Sequence, residues 1–427
     1  MGLIPVDLVV GHGRLEDNRE GRAQNLACPT LEETNMRRMG QPFPWGFLAW
    51  LVFAPVLVAC MWDHDTLAME RSRFPSALEL ITGKFLRHSP EFYQWRIGDR
   101  LKRLESDPNN LTLLDDLSVA YDKTGQHDLA IATSLRAAKL QPDRYETEAN
   151  LGTFLIHSGK LEEGLVHIDK ALRINPDAHF GREKYQKALV EYVLDRRKAN
   201  GPALPLSAQG EKLDFEKFLA KGKKSGHLSI EENRDAIRGI LGMMRFGQHN
   251  APVLLEALGC LLSPPNNHDE LMGDAKQLAA RAYLLAGYES PDEAARMSYR
   301  DLAQKALHMQ TDGNTLDEVQ MTLPELEAVF KKELAQGTAW YSDLRAKEAG
   351  WIRDGKDPEA EFQKLYDQDP QVDTYAHPKH RFSPYLVLEY LAFTLLVVFP
   401  VCLITWIVYR LIRRKRTPAQ PGLFGGN

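Results

Sequence analysis

Two consecutive stretches of equal length decide the fold: PNNLTLLDDLSVAYDKTGQHDLAIATSLRAAKLQ (108–141) and PDRYETEANLGTFLIHSGKLEEGLVHIDKALRIN (142–175). At one constant offset, that from Pro108 to Pro142, the residues Leu117, Ser118, Gly125, Ala130, Ala137 and Pro142 reappear as Leu151, Gly152, Gly159, Gly164, Ala171 and Pro176. Tyr121 is matched by Leu155, and the closing Leu140-Gln-Pro-Asp143 by Ile174-Asn-Pro-Asp177. A fixed period of this length marks an architecture of stacked units, each too small to bury its apolar face alone.

This pattern over 108–177 resembles the tetratricopeptide repeat, in which each unit is a pair of antiparallel helices. Small residues at Ser118 and Gly152 let the two helices of a unit approach closely. Gly125 and Gly159 end the first helix in a left-handed turn that costs glycine little. Ala130/Gly164 and Ala137/Ala171 are the small knobs of the second helix, and Pro142 and Pro176 stop it. The resemblance implies a concave groove lined by first helices and open to a peptide. By register its candidates are Thr112, Asp115, Val119, Asp122 and Lys123, then Glu146, Ala149, Thr153, Ile156 and His157. Asp115 and Val119 stand where the chaperone-binding subclass has Lys and Asn, so an acidic chaperone tail is not the expected ligand. The mixed lining suits a basic or apolar segment; the alternative occupant is the protein's own flanking helices.

Working outward, residues 63–107 read as a helical lead-in holding a degraded repeat, because Pro108 stands one repeat offset before Pro142 and Ile97, Leu101 and Leu104 keep helical spacing. Residues 178–198 read as a capping helix, and 199–227, rich in Gly, Pro, Ser and Lys, as a linker. A second helical block follows over 228–310. Ala236, Ile240, Leu241 and Met244, then Val253, Leu254, Ala257, Leu258 and Leu261, predict two short helices. Residues 277–287 echo a repeat first helix, with 291–309 as its partner. Over 311–366 amphipathic helices carry Leu323, Leu326, Val329, Phe330 and Leu334, then Trp340, Tyr341, Leu344 and Trp351. No stretch alternates at period two, so the fold class is all-α: a tetratricopeptide hairpin solenoid with a flanking helical block and a C-terminal transmembrane helix.

That last expectation rests on YLAFTLLVVFPVCLITWIVY (390–409), a run without a charge, which would span roughly 30 Å as a helix. With its flanks it gives a membrane segment at 385–412, reached through a proline-bearing tether at 367–384. Arg413, Arg414, Lys415 and Arg416 open a basic tail, 413–427, which by the positive-inside rule lies in the cytoplasm. A second apolar run, 45–62, follows Arg37 and Arg38 and reads as a signal peptide or membrane anchor over 36–62, with Met36 as initiator and 1–35 a disordered or mis-assigned extension. Leu57-Val58-Ala59-Cys60 also resembles a bacterial lipobox, which makes Cys60 a lipidation candidate. Residues 62–96 resemble the opening of membrane-bound repeat proteins of planctomycete-type bacteria. Together these place the bulk of the chain on the exoplasmic, periplasmic side of the cytoplasmic membrane.

Charge and chemistry narrow the function. A net charge of −5 gives no reason to expect nucleic acid. No phosphate loop, zinc-protease, nucleophile-elbow or dinucleotide motif occurs, and no CxxC pair, so neither catalytic residue, cofactor nor metal is expected. Asp63-His64-Asp65 reads as a polar membrane flank, and Cys260 as a small buried hydrophobe. The expectation is a membrane-anchored, non-enzymatic scaffold with a protein or peptide partner, its bilayer contacts at 385–412 and 45–62. The alternatives are a tail-anchored adaptor facing the cytosol, and an enzyme with a site hidden in 228–366.

Overall fold

A computed structural model describes residues 62–63, 65–176, 181–197, 203–208, 214–263, 275–308, 321–368 and 399–414. Among the described residues there is no strand. In chain order the helices are α1 (Thr66–Arg71), α2 (Ala77–Thr82), α3 (Pro90–Ser106), α4 (Leu111–Lys123), α5 (His127–Leu140), α6 (Tyr145–His157), α7 (Leu161–Ile174) and α8 (Arg182–Arg196). They continue as α9 (Phe215–Leu219), α10 (Ile230–Phe246), α11 (Pro252–Leu261), α12 (Ala275–Tyr288), α13 (Glu293–His308), α14 (Leu323–Arg353), α15 (Pro358–Asp367) and α16 (Phe399–Arg414).

The repeat folds as two hairpins, α4/α5 and α6/α7, and α3 packs on α4 as a degraded preceding unit would. Each first helix ends as its glycine requires. Gly125 and Gly159 have φ of 75° and 84°, and the next N–H reaches back to the last turn, Gln126 to Tyr121 and Lys160 to Leu155. The α6/α7 crossing is tight: a Cβ on Gly164 would lie 2.6 Å from Ile156 Cγ1 and 2.8 Å from the Gly152 carbonyl. Only two glycines let these backbones meet.

Beyond Pro176 the stack continues where the sequence suggests an end. α8 packs on α7 and on α10, so it joins two layers instead of capping one. Part of the stretch read as linker is also core. Leu206 and Phe215 are buried, and the Glu256 carboxylate accepts from the N–H groups of Leu206 and Ser207. Composition alone marks such a segment as loop, and only its apolar anchors against α8 and α11 show otherwise. α10 and α11 bury all the apolar positions expected of them, and α12 and α13 form a further hairpin. Cys260 is buried and free, its sulfur accepting from the Glu216 N–H.

α14 ties the two ends of this stack together. Its first half packs on α12 and α13, where Arg281 pairs with Glu333 through two nitrogens at 2.7 and 2.9 Å. Its second half reaches α3. Midway it crosses the end of α2 at Gly337, where a Cβ would lie 2.2 Å from the Thr82 carbonyl oxygen. Thirty-one residues at about 1.5 Å each give a helix long enough for this reach.

Among the described residues no helix is long and apolar enough to cross a membrane. α16 covers only the later part of the apolar run at 390–409; residues 385–398, the tether beyond 368 and the tail beyond 414 lie outside the described residues. So do residues 1–61, with Cys60 and all of the leading apolar run but Trp62.

Candidate functional site

The first helices of the two units place their inner faces side by side, and the groove they form is occupied by the chain itself. Trp62, the last residue of the leading apolar run, lies against it, and Asp63 and Asp65 follow. Asn150 of α6 donates through Nδ2 to the Trp62 carbonyl at 2.9 Å, and its Oδ1 accepts from the Trp62 N–H at 2.7 Å. A primary amide is the side chain that can answer both main-chain groups of one residue.

Behind Trp62 the acids of the supposed membrane flank are buried. Arg96 of α3 binds Asp63 at 3.0 Å, Asp65, and Glu359 of α15 at 2.7 Å. Arg100, one turn on, binds Asp116 at 2.8 Å and the same Glu359. Burial works against the Arg96 cation, but Asp65, Asp63, Asp116 and Glu359 overcome it, and its pKa lies well above the usual arginine value. Asp63 and Asp65 therefore form no solvated flank: they neutralise a buried guanidinium. His64 lies outside the described residues.

His88 completes the closure. Its Nδ1 sits 2.6 Å from Glu348 of α14 and its Nε2 3.3 Å from Asp65, while Phe92 stacks on the ring at 3.6 Å. Burial alone would lower the His88 pKa; the hydrogen bonds and charges of Asp65 and Glu348 carry it up to about 9. Above it Arg345 pairs with Glu91, and Tyr341 donates to the His88 carbonyl at 3.1 Å.

What the chain leaves unfilled is a cavity of ≈ 590 Å³ between the ends of α4 and α6, the α10–α11 turn, the start of α3, and Tyr341 of α14. Of the ten register-derived groove residues, Val119, Asp122, Lys123 and His157 line it. The other six do not. Thr112 is exposed, and Glu146 lies 3.3 Å from Arg144. Asp115 pairs with Arg144 at 2.6 Å, and burial raises its carboxyl to about 7 against that pull. Ala149, Thr153 and Ile156 are buried, Thr153 accepting from Gln186 at 3.1 Å.

Within the cavity Asp122 is held by two imidazoles. His127 Nδ1 lies 2.8 Å from Oδ1 and His157 Nδ1 2.7 Å from Oδ2. Burial pushes the Asp122 pKa up, but His157 and His127 hold it down at about 2. Lys123 donates to the carbonyls of Phe246 at 2.7 Å and Gly247 at 3.2 Å, and burial pulls its ammonium down to about 8. His249 faces the same space; burial first, then Arg87, lowers it to about 3.

Sequence reasoning missed the residues that act on the occupied side. Asp116 and Asn150 are one position past the groove register, and they too are related by the repeat offset. Polar side chains paired at that offset inside otherwise apolar helix faces were the available signal. For Arg96, Glu348 and Glu359 there was none.

No family model matches the chain. Over 75 residues it is 29% identical to the small glutamine-rich tetratricopeptide repeat-containing protein 2 of Mycosarcoma maydis, a stretch amounting to 18% of this chain. The chain thus spans 21% of that protein's length. With the all-helical fold, this similarity fits a tetratricopeptide-like protein. It has no bearing on a planctomycete-type relationship.

Proposed function

We propose that this chain is a tetratricopeptide-type scaffold that binds protein partners and is held at a membrane by its C-terminal segment. One observation carries the binding reading: α6 already grips a main chain through Asn150, using both the N–H and the carbonyl of Trp62. A groove that holds its own chain by main-chain groups has the chemistry to hold another, and the cavity beside it is where a partner's side chain or chain end fits. Partner recognition belongs to the rim of that cavity. Lys123, Asp122 and His127 supply charge of both signs there, and Val119 supplies an apolar floor.

The membrane tie is supported by the charge-free run at 390–409 and by α16, which leaves Val401, Ile404, Trp406, Ile407 and Val408 exposed. Apolar side chains exposed on every side of a helix suit a lipid surround. With Arg413–Arg414 and the basic residues after them kept inside, the repeats stand on the outer side of the cytoplasmic membrane.

A photo-crosslinker at Gln248, exposed on the cavity rim, tests the binding reading against one at Val166, which is 55% exposed on the outer helix α7. A discrete adduct from Gln248 that Lys123→Glu removes is the expected result. Adducts from Val166 alone would move binding to the outer face. Protease digestion in sealed spheroplasts tests the topology. Repeats cut while a tagged tail survives is expected; the reverse pattern would mean a tail-anchored adaptor facing the cytosol.

A further inference from the structure

We propose that Asp122, His127 and His157 form a binding site for a first-row divalent transition ion of the zinc type, with an open coordination position facing the groove cavity. One ligand atom from each residue lies within 4.8 Å of the others. The convergence follows from the repeat. Asp122 is in the last turn of α4, His127 is the first residue of α5 across the Gly125 turn, and His157 ends α6. His157 stands one repeat offset after Lys123, so stacking the units brings the ends of the two first helices side by side.

The donor set selects the ion. Two imidazole nitrogens and one carboxylate suit zinc and its neighbours, whereas magnesium and calcium favour oxygen-only shells. Zinc holds such ligands at about 2.0–2.1 Å, which sets tetrahedral neighbours about 3.3 Å apart. His127 lies 2.8 Å from one carboxylate oxygen and His157 2.7 Å from the other, so whichever oxygen takes the ion, its own imidazole partner opens by roughly half an ångström on loading. His127 can supply that movement, since its side chain is 31% exposed at the start of a helix. Three protein ligands leave a fourth position, as in zinc sites that bind exogenous groups. All three side chains line the cavity, so that position opens into it. The neighbouring Lys123 ammonium is engaged by the Phe246 and Gly247 carbonyls.

The test uses the full chain in detergent, stripped with a chelator and titrated with Co²⁺ and then Zn²⁺. One Co²⁺ per chain with visible d–d bands, displaced by Zn²⁺, is expected. His127→Ala should weaken Zn²⁺ binding by at least about tenfold while its circular-dichroism melt stays close to wild type. His127→Cys should restore binding and add a thiolate-to-cobalt charge-transfer band, which a purely structural role would not produce. Absence of Co²⁺ bands, or binding that His127→Ala leaves unchanged, would overturn the site, as would binding to His127→Cys without the thiolate band.

Discussion

Asn150 holds Trp62 by both its backbone N–H and its carbonyl, at 2.7 and 2.9 Å, although the two residues are 88 positions apart. The contact joins the segment that leaves the first apolar run to the inner face of the second repeat. Asn150→Ala removes both bonds and should cost about 1–3 kcal/mol. Hydrogen exchange is expected to quicken over 62–71 while α6 stays protected, and unchanged exchange at 62–71 would contradict the clamp.

The guanidinium of Arg96 is the larger anchor. It is itself buried and neutralises buried Asp63 and Asp65 and half-buried Glu359. Arg96→Ala leaves these acids without their shared cation and should destabilise by about 3–5 kcal/mol. Urea unfolding with circular-dichroism detection measures this, and a loss below about 1 kcal/mol would place the network among weak surface pairs.

Closure by α14 should depend on pH through His88. Its folded pKa of about 9 lies above the ordinary histidine value, about 6.5 in the unfolded chain. A raised pKa means that the folded state holds the proton more tightly. The stabilisation is therefore complete below about pH 6.5 and is lost as pH rises through about 9. The difference in melting temperature between wild type and His88→Gln should shrink across that window. A difference that stays constant from pH 6 to pH 9.5 would mean that His88 does not carry the pH dependence.

Gly164→Ala tests the hairpin crossing. The added methyl would lie 2.6 Å from Ile156 Cγ1 and 2.8 Å from the Gly152 carbonyl, and a backbone oxygen cannot move aside cheaply. A cost of about 1–3 kcal/mol is expected. Ala130, which occupies the same place in the first unit, is the control: its replacement by Gly should cost less than Gly164→Ala.

The hairpins were legible because their determinants are local. Gly125 with its left-handed φ, the small pair Gly152 and Gly164, and the helix-ending Pro142 all act on neighbours within a single repeat unit. The capping box of Ser229 with Glu232 that starts α10 is equally local, a signal that the sequence reading left unused. The groove was legible only as a register. That register identified Val119, Asp122, Lys123 and His157, but nothing in it said that Trp62 would lie alongside.

By itself the sequence determined an all-helical chain, two register-locked repeat hairpins and, of ten candidates, the four that line the cavity, since helix period, turn glycine and repeat offset are set by contacts close along the chain. Only the tertiary structure decided what fills that groove. Arg96 with Asp63 and Glu359, His88 with Glu348, and His157 with Asp122 are joined across 33, 263, 260 and 35 positions. Charge pairing carries no sequence period: an acid buried against arginine reads the same as one in water until the fold places the arginine beside it.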